Sequence, residues 1–250
     1  MARFRLAIHP LCPTSRSLVK GLASEGLLDR LDLEVLDRPR PLGEAYPWSV
    51  PLLLSPDGEP LAMDPLDPGE AAGIITGRPA GPGRSDEEQL VMSVLYSAYA
   101  SSVVLAHGGL DPVLDPSFLS PALRLPLRGE APGSAAGRLA PVLPGLYERE
   151  RERIARALSI AIVRLLWYSG AGEEDLKRLS AEQAGAIVLG MASVGRAFLP
   201  SVPGRPDMAG FIASFIGRRA RGLLAKVRRE HEDILGDSEY WRLLGISPRA

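Results

Sequence analysis

The chain carries one cysteine, Cys12, in the segment His9-Pro10-Leu11-Cys12-Pro13-Thr14-Ser15. Thiolate sulfur is an intrinsically strong nucleophile. An apolar run from Phe4 to Ile8 precedes this segment and a helical pattern from Ser15 to Glu25 follows it. Cys12 therefore falls at a strand-to-helix turn, where unpaired N–H groups and the helix dipole favour negative charge. Pro13 suits the first helical position, because its missing N–H would have no partner there anyway. The hydroxyls of Thr14 and Ser15 can donate hydrogen bonds to a thiolate, and His9 can serve as charge partner or proton carrier. With one sulfur in the motif and Ser15 beyond it, no internal disulfide can close. Any redox cycle must pass through a mixed disulfide with an outside thiol. The chemistry expected is monothiol exchange, reduction of a mixed disulfide, or addition of a small thiol to an electrophile. The competing reading is a Cys12 that is simply a small buried hydrophobe.

The elements that must position this turn alternate between strand and helix over residues 1–76. Leu18, Val19, Leu22 and Ala23 fall at helical spacing, with Gly26 as the stop. Leu31 to Leu36 alternates apolar and acidic residues, as a half-exposed strand does. Val50 to Leu54 is wholly apolar, as a buried strand is. Asp57-Gly58 is a turn signal before Leu61-Ala62-Met63, which predicts a hairpin. Asp67-Pro68-Gly69-Glu70 predicts a capped helix start, with Glu70 at capping-box spacing. Residues 77–85 read as a linker, and 86–250 as helix and loop.

Within that second region the patterns predict a helix from Ser85 to about His107, stopped at Gly108-Gly109. They also predict a Pro- and Gly-rich connection over 108–146 with short helical turns at 117–124, and a helix from Tyr147 to Tyr168. A helix from Ser180 to about Phe198 follows, with Gly185, Gly190 and Gly195 marking close approach to a neighbour. Asp207 caps a last long helix to about Leu235, before a short tail at 238–245. The basic run Arg218 to Arg229 reads as a solvated face, and Trp167-Tyr168 and Tyr240-Trp241 as core or interdomain packing.

Composition excludes several function classes. The 250 residues have a formal net charge of −1, so the molecule as a whole is not built for nucleic acid or an anionic membrane. The longest apolar windows, 154–168 and 184–199, are broken by arginines and fall short of the roughly 20 residues a span needs. No secretory leader pattern opens the chain, which points to the cytoplasm. The three histidines, His9, His107 and His231, are far apart and give no zinc spacing with one cysteine. No phosphate-binding glycine loop or serine-nucleophile elbow occurs.

The N-terminal pattern resembles the thioredoxin fold in its glutaredoxin and glutathione-transferase form. Cys12-Pro13-Thr14-Ser15 after the first strand, Trp48-Ser49-Val50-Pro51 before the next, and the Asp57-Gly58 hairpin followed by a helix carry the resemblance. It implies an α/β thioredoxin-like domain followed by an all-α domain of the glutathione-transferase C-terminal type. It further implies a cis bond before Pro51, with Pro51 against the sulfur and the Val50 backbone open to an extended thiol. The family places an acidic residue and a serine after the hairpin strand, where Met63 and Asp64 stand here. Pro65 and Pro68 also remove backbone donors nearby. An acid with fewer N–H groups disfavours a carboxylate.

The resemblance thus implies Cys12 as nucleophile, with Ser15 and His9 assisting. Pro13, Thr14, Val50, Pro51, Asp64 and Asp67 would line a site for a low-molecular-weight thiol, glutathione or a substitute. The second substrate would be a hydrophobic electrophile or a mixed disulfide. It also implies a homodimer without nucleic-acid or membrane partners. The alternatives are a catalytically silent scaffold of the same architecture, kept for protein interactions, and a small-ligand binder without turnover.

Overall fold

The computed structural model describes residues 3–36, 49–78, 83–107, 110–193 and 206–248. Trp48, residues 79–82 of the linker, Gly108-Gly109, and Gly195 to Phe198 lie outside them, as does the side chain of Asp207. Strand β1 (Phe4–Ile8), helix α1 (Pro13–Ser24), strands β2 (Leu31–Val35), β3 (Leu52–Leu54) and β4 (Pro60–Met63), and helix α2 (Pro68–Thr76) follow in the expected order. They build a four-stranded mixed sheet in the order β2-β1-β3-β4. β1 runs parallel to β2 and antiparallel to β3, and β3 runs antiparallel to β4. The β3–β4 turn needs Gly58, whose φ of +88° suits a residue without Cβ.

The sheet is buried on both faces, which explains the unbroken apolar run in β3. Leu6, Ile8, Leu53 and Ala62 pack with Leu18 and Leu22 of α1 and Ala71 and Ile75 of α2. On the opposite face, Ala7, Leu52, Leu54 and Met63 join the core of the helical region. α1 and α2 cross at a contact that only glycine permits: a Cβ at Gly21 would come within 2.4 Å of the Pro68 ring.

The helical region contains α3 (Asp86–Tyr96), α4 (Ala98–His107), α5 (Pro116–Leu123), α6 (Leu125–Arg128), α7 (Pro132–Leu139) and α8 (Leu143–Tyr168). It continues with α9 (Glu173–Lys177), α10 (Ala181–Ser193), α11 (Pro206–Leu235) and α12 (Ser238–Leu244). The single helix expected from Ser85 to His107 is two helices, bent by 95°. Ser97 adopts extended backbone angles, and its hydroxyl accepts the Ala100 N–H at 3.0 Å. The chain thus restarts a helix on a serine cap rather than running through it. No single helix among the described residues is long and apolar enough to cross a membrane; the bent α3–α4 pair passes only when taken together.

The connection expected over 108–146 is mostly helical. Pro116, Pro126, Pro132 and Pro144 each stand in the first turn of a helix, where proline is tolerated. For the same reason α8 begins at Leu143, ahead of the expected Tyr147. Gly185 meets the Ala209 side chain at a distance of 3.6 Å for an added Cβ, whereas Gly190 faces open space. Only the first of these two marks a helix contact.

The expected tail is α12, and it turns back onto the sheet domain. Tyr240, Trp241 and Leu244 complete the apolar cluster beneath α1. Asp237 caps α12 by accepting the Tyr240 N–H at 3.1 Å. The same carboxylate takes Arg16 Nε at 2.7 Å and Lys20 Nζ at 2.9 Å, both from α1. Trp167 and Tyr168, by contrast, meet His231 edge to face between α8 and α11, and Tyr168 is exposed.

Candidate functional site

β1 ends at Ile8 and the chain turns at once into α1. The turn closes through the Cys12 N–H, which donates to the His9 carbonyl at 3.0 Å. Cys12 is the N-cap residue of α1, with φ −90° and ψ 121°, and Pro13 occupies the first turn. No side chain caps the helix. Its unpaired N–H groups and dipole are therefore not already satisfied by an oxygen when the sulfur sits beside them.

The half-buried thiol has two polar neighbours. Sγ lies 3.0 Å from Thr14 Oγ1, and either atom can be the donor. Its S–H also reaches the Val50 carbonyl at 3.9 Å, a long contact. The Val50–Pro51 bond is cis, as the resemblance implies. The Val50 carbonyl that a thiol ligand was expected to meet is thus turned toward the sulfur. The Asp64 N–H donates to the Pro51 carbonyl at 2.9 Å, which pins the end of β4 beside the turn. Asp64–Pro65 is a second cis bond.

Asp64 is the least expected part of the site. Its residue is only 2% exposed. Burial pushes its carboxyl up to about 7, and a hydrogen bond from Thr14 only partly opposes this. Thr14 therefore touches both the sulfur and the buried acid. Asp64 Oδ1 has no hydrogen-bond partner.

The remaining expected residues separate by role. Ser15 is fully buried, and its hydroxyl has no hydrogen-bond partner, so Thr14 alone supplies a hydroxyl to the sulfur. The reason is helical geometry: Thr14 stays on the exposed side of the first turn, while Ser15 points under it. The exposed His9 accepts the Leu11 N–H on Nδ1 at 3.2 Å and shapes the turn. Asp67 caps α2, accepting the Glu70 N–H at 2.9 Å. Glu70, half-buried, also pairs with Arg124 at 2.8 Å; burial raises its carboxyl and the Arg124 charge opposes that.

A hollow of 310 Å³ adjoins the turn, walled by Pro13, Thr14, Ser17, Asp64, Asp67 and Arg84 among others. It opens beside the thiol, with Thr14 rather than Cys12 on its wall. A larger hollow of 520 Å³ shares Asp67, Glu70 and Arg84 with it but includes none of Cys12, Thr14 and Asp64. Among the described residues no group of His, Cys, Asp and Glu could hold a metal ion.

Tyr240 was read from sequence only as packing. Its phenol is fully buried without a hydrogen-bond partner; burial pushes its ionisation up, and the nearby Cys12 charge adds to that. The phenol therefore lies within the electrostatic reach of the thiol from the α12 side. An aromatic pair in a seven-residue segment behind an Asp cap was the one available signal. Comparison with family models, curated proteins and solved structures finds no match to this chain.

Proposed function

We propose that the protein is a thiol-dependent transferase or monothiol disulfide reductase with Cys12 as nucleophile. In this reading its N-terminal region is a thioredoxin-like domain of the glutathione-transferase and glutaredoxin type. The observation that carries the reading is the placement of the thiol. It stands at the N-cap position of a 12-residue helix, has the Thr14 hydroxyl at 3.0 Å, and faces the Val50 carbonyl beside a cis proline. The strand order β2-β1-β3-β4, with α1 and α2 against one face, supports the fold assignment.

The reaction is exchange with an outside disulfide, R–S–S–R. The Cys12 thiolate attacks one sulfur, a Cys12–S bond forms, the S–S bond breaks, and RS⁻ leaves. A low-molecular-weight thiol then attacks the mixed disulfide and restores Cys12. Among the described side chains around the turn, Asp64, Asp67 and Glu70 supply acceptors. Pro13, Pro65 and Pro68 supply no N–H, and Arg84 is the cation on the same wall that a thiol's carboxylate would meet.

The test is incubation with 2-hydroxyethyl disulfide, followed by intact-protein mass measurement. The expected result is one mixed-disulfide adduct on the native protein, reversed by added thiol and absent in Cys12→Ser. No adduct would overturn the enzymatic reading. It would favour a catalytically silent scaffold, the alternative supported by the absence of Cys12 from the wall of the adjoining hollow.

A further inference from the structure

Among the described residues the thiol has no cation of its own. Arg16, one turn along α1, is engaged with Asp237, and the described polar contacts of the sulfur are Thr14 and Val50. The proton on sulfur needs a destination if the thiol is to react near neutral pH. From the Cys12–Thr14–Asp64 geometry we infer that Asp64 is the proton acceptor for Cys12, working through the Thr14 hydroxyl. This rests on the reading of Cys12 as a nucleophile.

Three observations carry it. Thr14 Oγ1 is 3.0 Å from Sγ, and Thr14 shares the wall of one hollow with Asp64, where its hydroxyl favours the ionised carboxyl. Asp64 is almost fully buried, with one carboxyl oxygen unpartnered. No ion pair to Asp64 occurs among the described residues, so it is free to change charge.

The charged groups around it are Arg84, on the wall of the same hollow, and those of the neighbouring elements. From β3 it meets the Pro51 carbonyl through its own N–H. On α2, the Asp67 carboxylate caps the helix and Glu70 is paired with Arg124. From the end of α5, Arg124 donates to the neighbouring Pro65 carbonyl at 3.4 Å and to Glu70. Toward the sulfur stands Tyr240 of α12, whose phenol stays protonated. Burial holds the Asp64 acid near neutrality, which suits a group that must both take and return a proton.

The step balances as a relay. With Asp64 ionised, Thr14 donates its O–H to the carboxylate and accepts the S–H of Cys12. The S–H bond breaks as its proton passes to Thr14 Oγ1, and the Thr14 O–H bond breaks as its proton passes to Asp64. The result is a thiolate and a neutral acid, with both hydrogen bonds reversed, so that Thr14 now donates to sulfur. When the thiolate displaces RS⁻ from a disulfide, the proton on Asp64 returns through Thr14 to the leaving group or to water.

The experiment is the rate of iodoacetamide alkylation from pH 5 to 9 for the wild type, Asp64→Asn, Thr14→Val and Thr14→Ser. The wild type is expected to show two inflections, the lower one near 7, because two coupled groups titrate as a pair. Asp64→Asn and Thr14→Val are expected to lose the lower inflection, with Thr14→Val about tenfold slower at pH 7.5. Thr14→Ser is expected to restore the wild-type profile. Thr14 is exposed, so its two variants carry the test even if Asp64→Asn fails to fold. A single inflection in the wild type would overturn the relay alone. So would loss of the lower inflection in Asp64→Asn with retention in Thr14→Val, which would mean a direct charge effect. A wild-type thiol inert at every pH would overturn the nucleophile reading and the relay with it.

Discussion

Two buried aspartates meet helix α1, one at Thr14 and the other at Arg16 and Lys20, and their surroundings are opposite. Asp237 reaches the helix at Arg16 and Lys20. Burial works to raise its carboxyl, but hydrogen bonds from Lys20, the Tyr240 N–H and Arg16 outweigh that and hold it at about 2. Asp64 reaches the helix at Thr14, and burial, opposed only by the Thr14 hydroxyl among the described residues, pushes its carboxyl to about 7. The same residue type, shielded from solvent in both places, is in one place a fixed charge and in the other a group poised to titrate. What separates them is partners together with depth, Asp64 being the deeper of the two. The paired aspartate latches α12 to the sheet domain and brings Tyr240 into position. The unpaired one sits one hydroxyl away from the only thiol in the chain. Unpaired burial costs stability, and such costs collect where a protein does chemistry.

The comparison can be broken or sharpened by removing each charge in turn. The larger effect is expected at Asp64. Its native value lies above the unfolded value of about 3.9, so the native state holds more protons between pH 4 and 7, and stability falls as pH rises through that window. Asp64→Asn is expected to abolish this fall and to stabilise the protein at pH 8 by on the order of 3–4 kcal/mol, read from urea unfolding at pH 5 and pH 8. An unchanged difference between the two pH values would show that Asp64 is not buried as an acid.

At Asp237 the sign reverses. Its contribution is present above about pH 3.9 and is lost as pH falls toward 2. Asp237→Asn keeps a capping side chain but drops the charge. The expected loss is about 1–2 kcal/mol at pH 7 by the same measurement, shrinking in acid. Destabilisation that persists undiminished at pH 3 would show that the latch is packing rather than charge.

The same contrast separates what could be read in the sequence from what could not. Local signals were sufficient for the thiol turn, the Asp57-Gly58 hairpin and the Asp67 cap, because each is decided by neighbours within a few residues. Cys12, Thr14, Pro51 and Asp64 were all identifiable as candidates, and three of them belong to one connected site with the fourth beside it. The difference between Thr14 and Ser15 was not readable, since it depends on which side of the first turn the sheet covers. Nor was the burial of Asp64, which follows from β3 and α5 packing on β4 and from Thr14 of α1 meeting the residue just beyond it.

Prolines misled in one direction. Taken as loop composition, they hid α6, α7 and the first turn of α8, leaving only α5 expected as helical turns, although a proline in the first turn starts a helix as readily as it ends one. Ser97 misled in the other, since a serine inside an apolar pattern can be a cap as well as a passenger. The return of α12 is a long-range event, with Asp237 and Arg16 separated by 221 positions, and no local pattern announces it.

The central claim is that folding activates Cys12. The most direct measurement is the rate of its alkylation by iodoacetamide at pH 6.5, in the native protein and in the same protein unfolded in urea. The account predicts labelling about tenfold or more faster in the native state, because only the folded chain sets the sulfur at the start of α1 beside Thr14. Slower labelling in the native state than in the unfolded chain would contradict it and leave Cys12 as a packed, inert side chain.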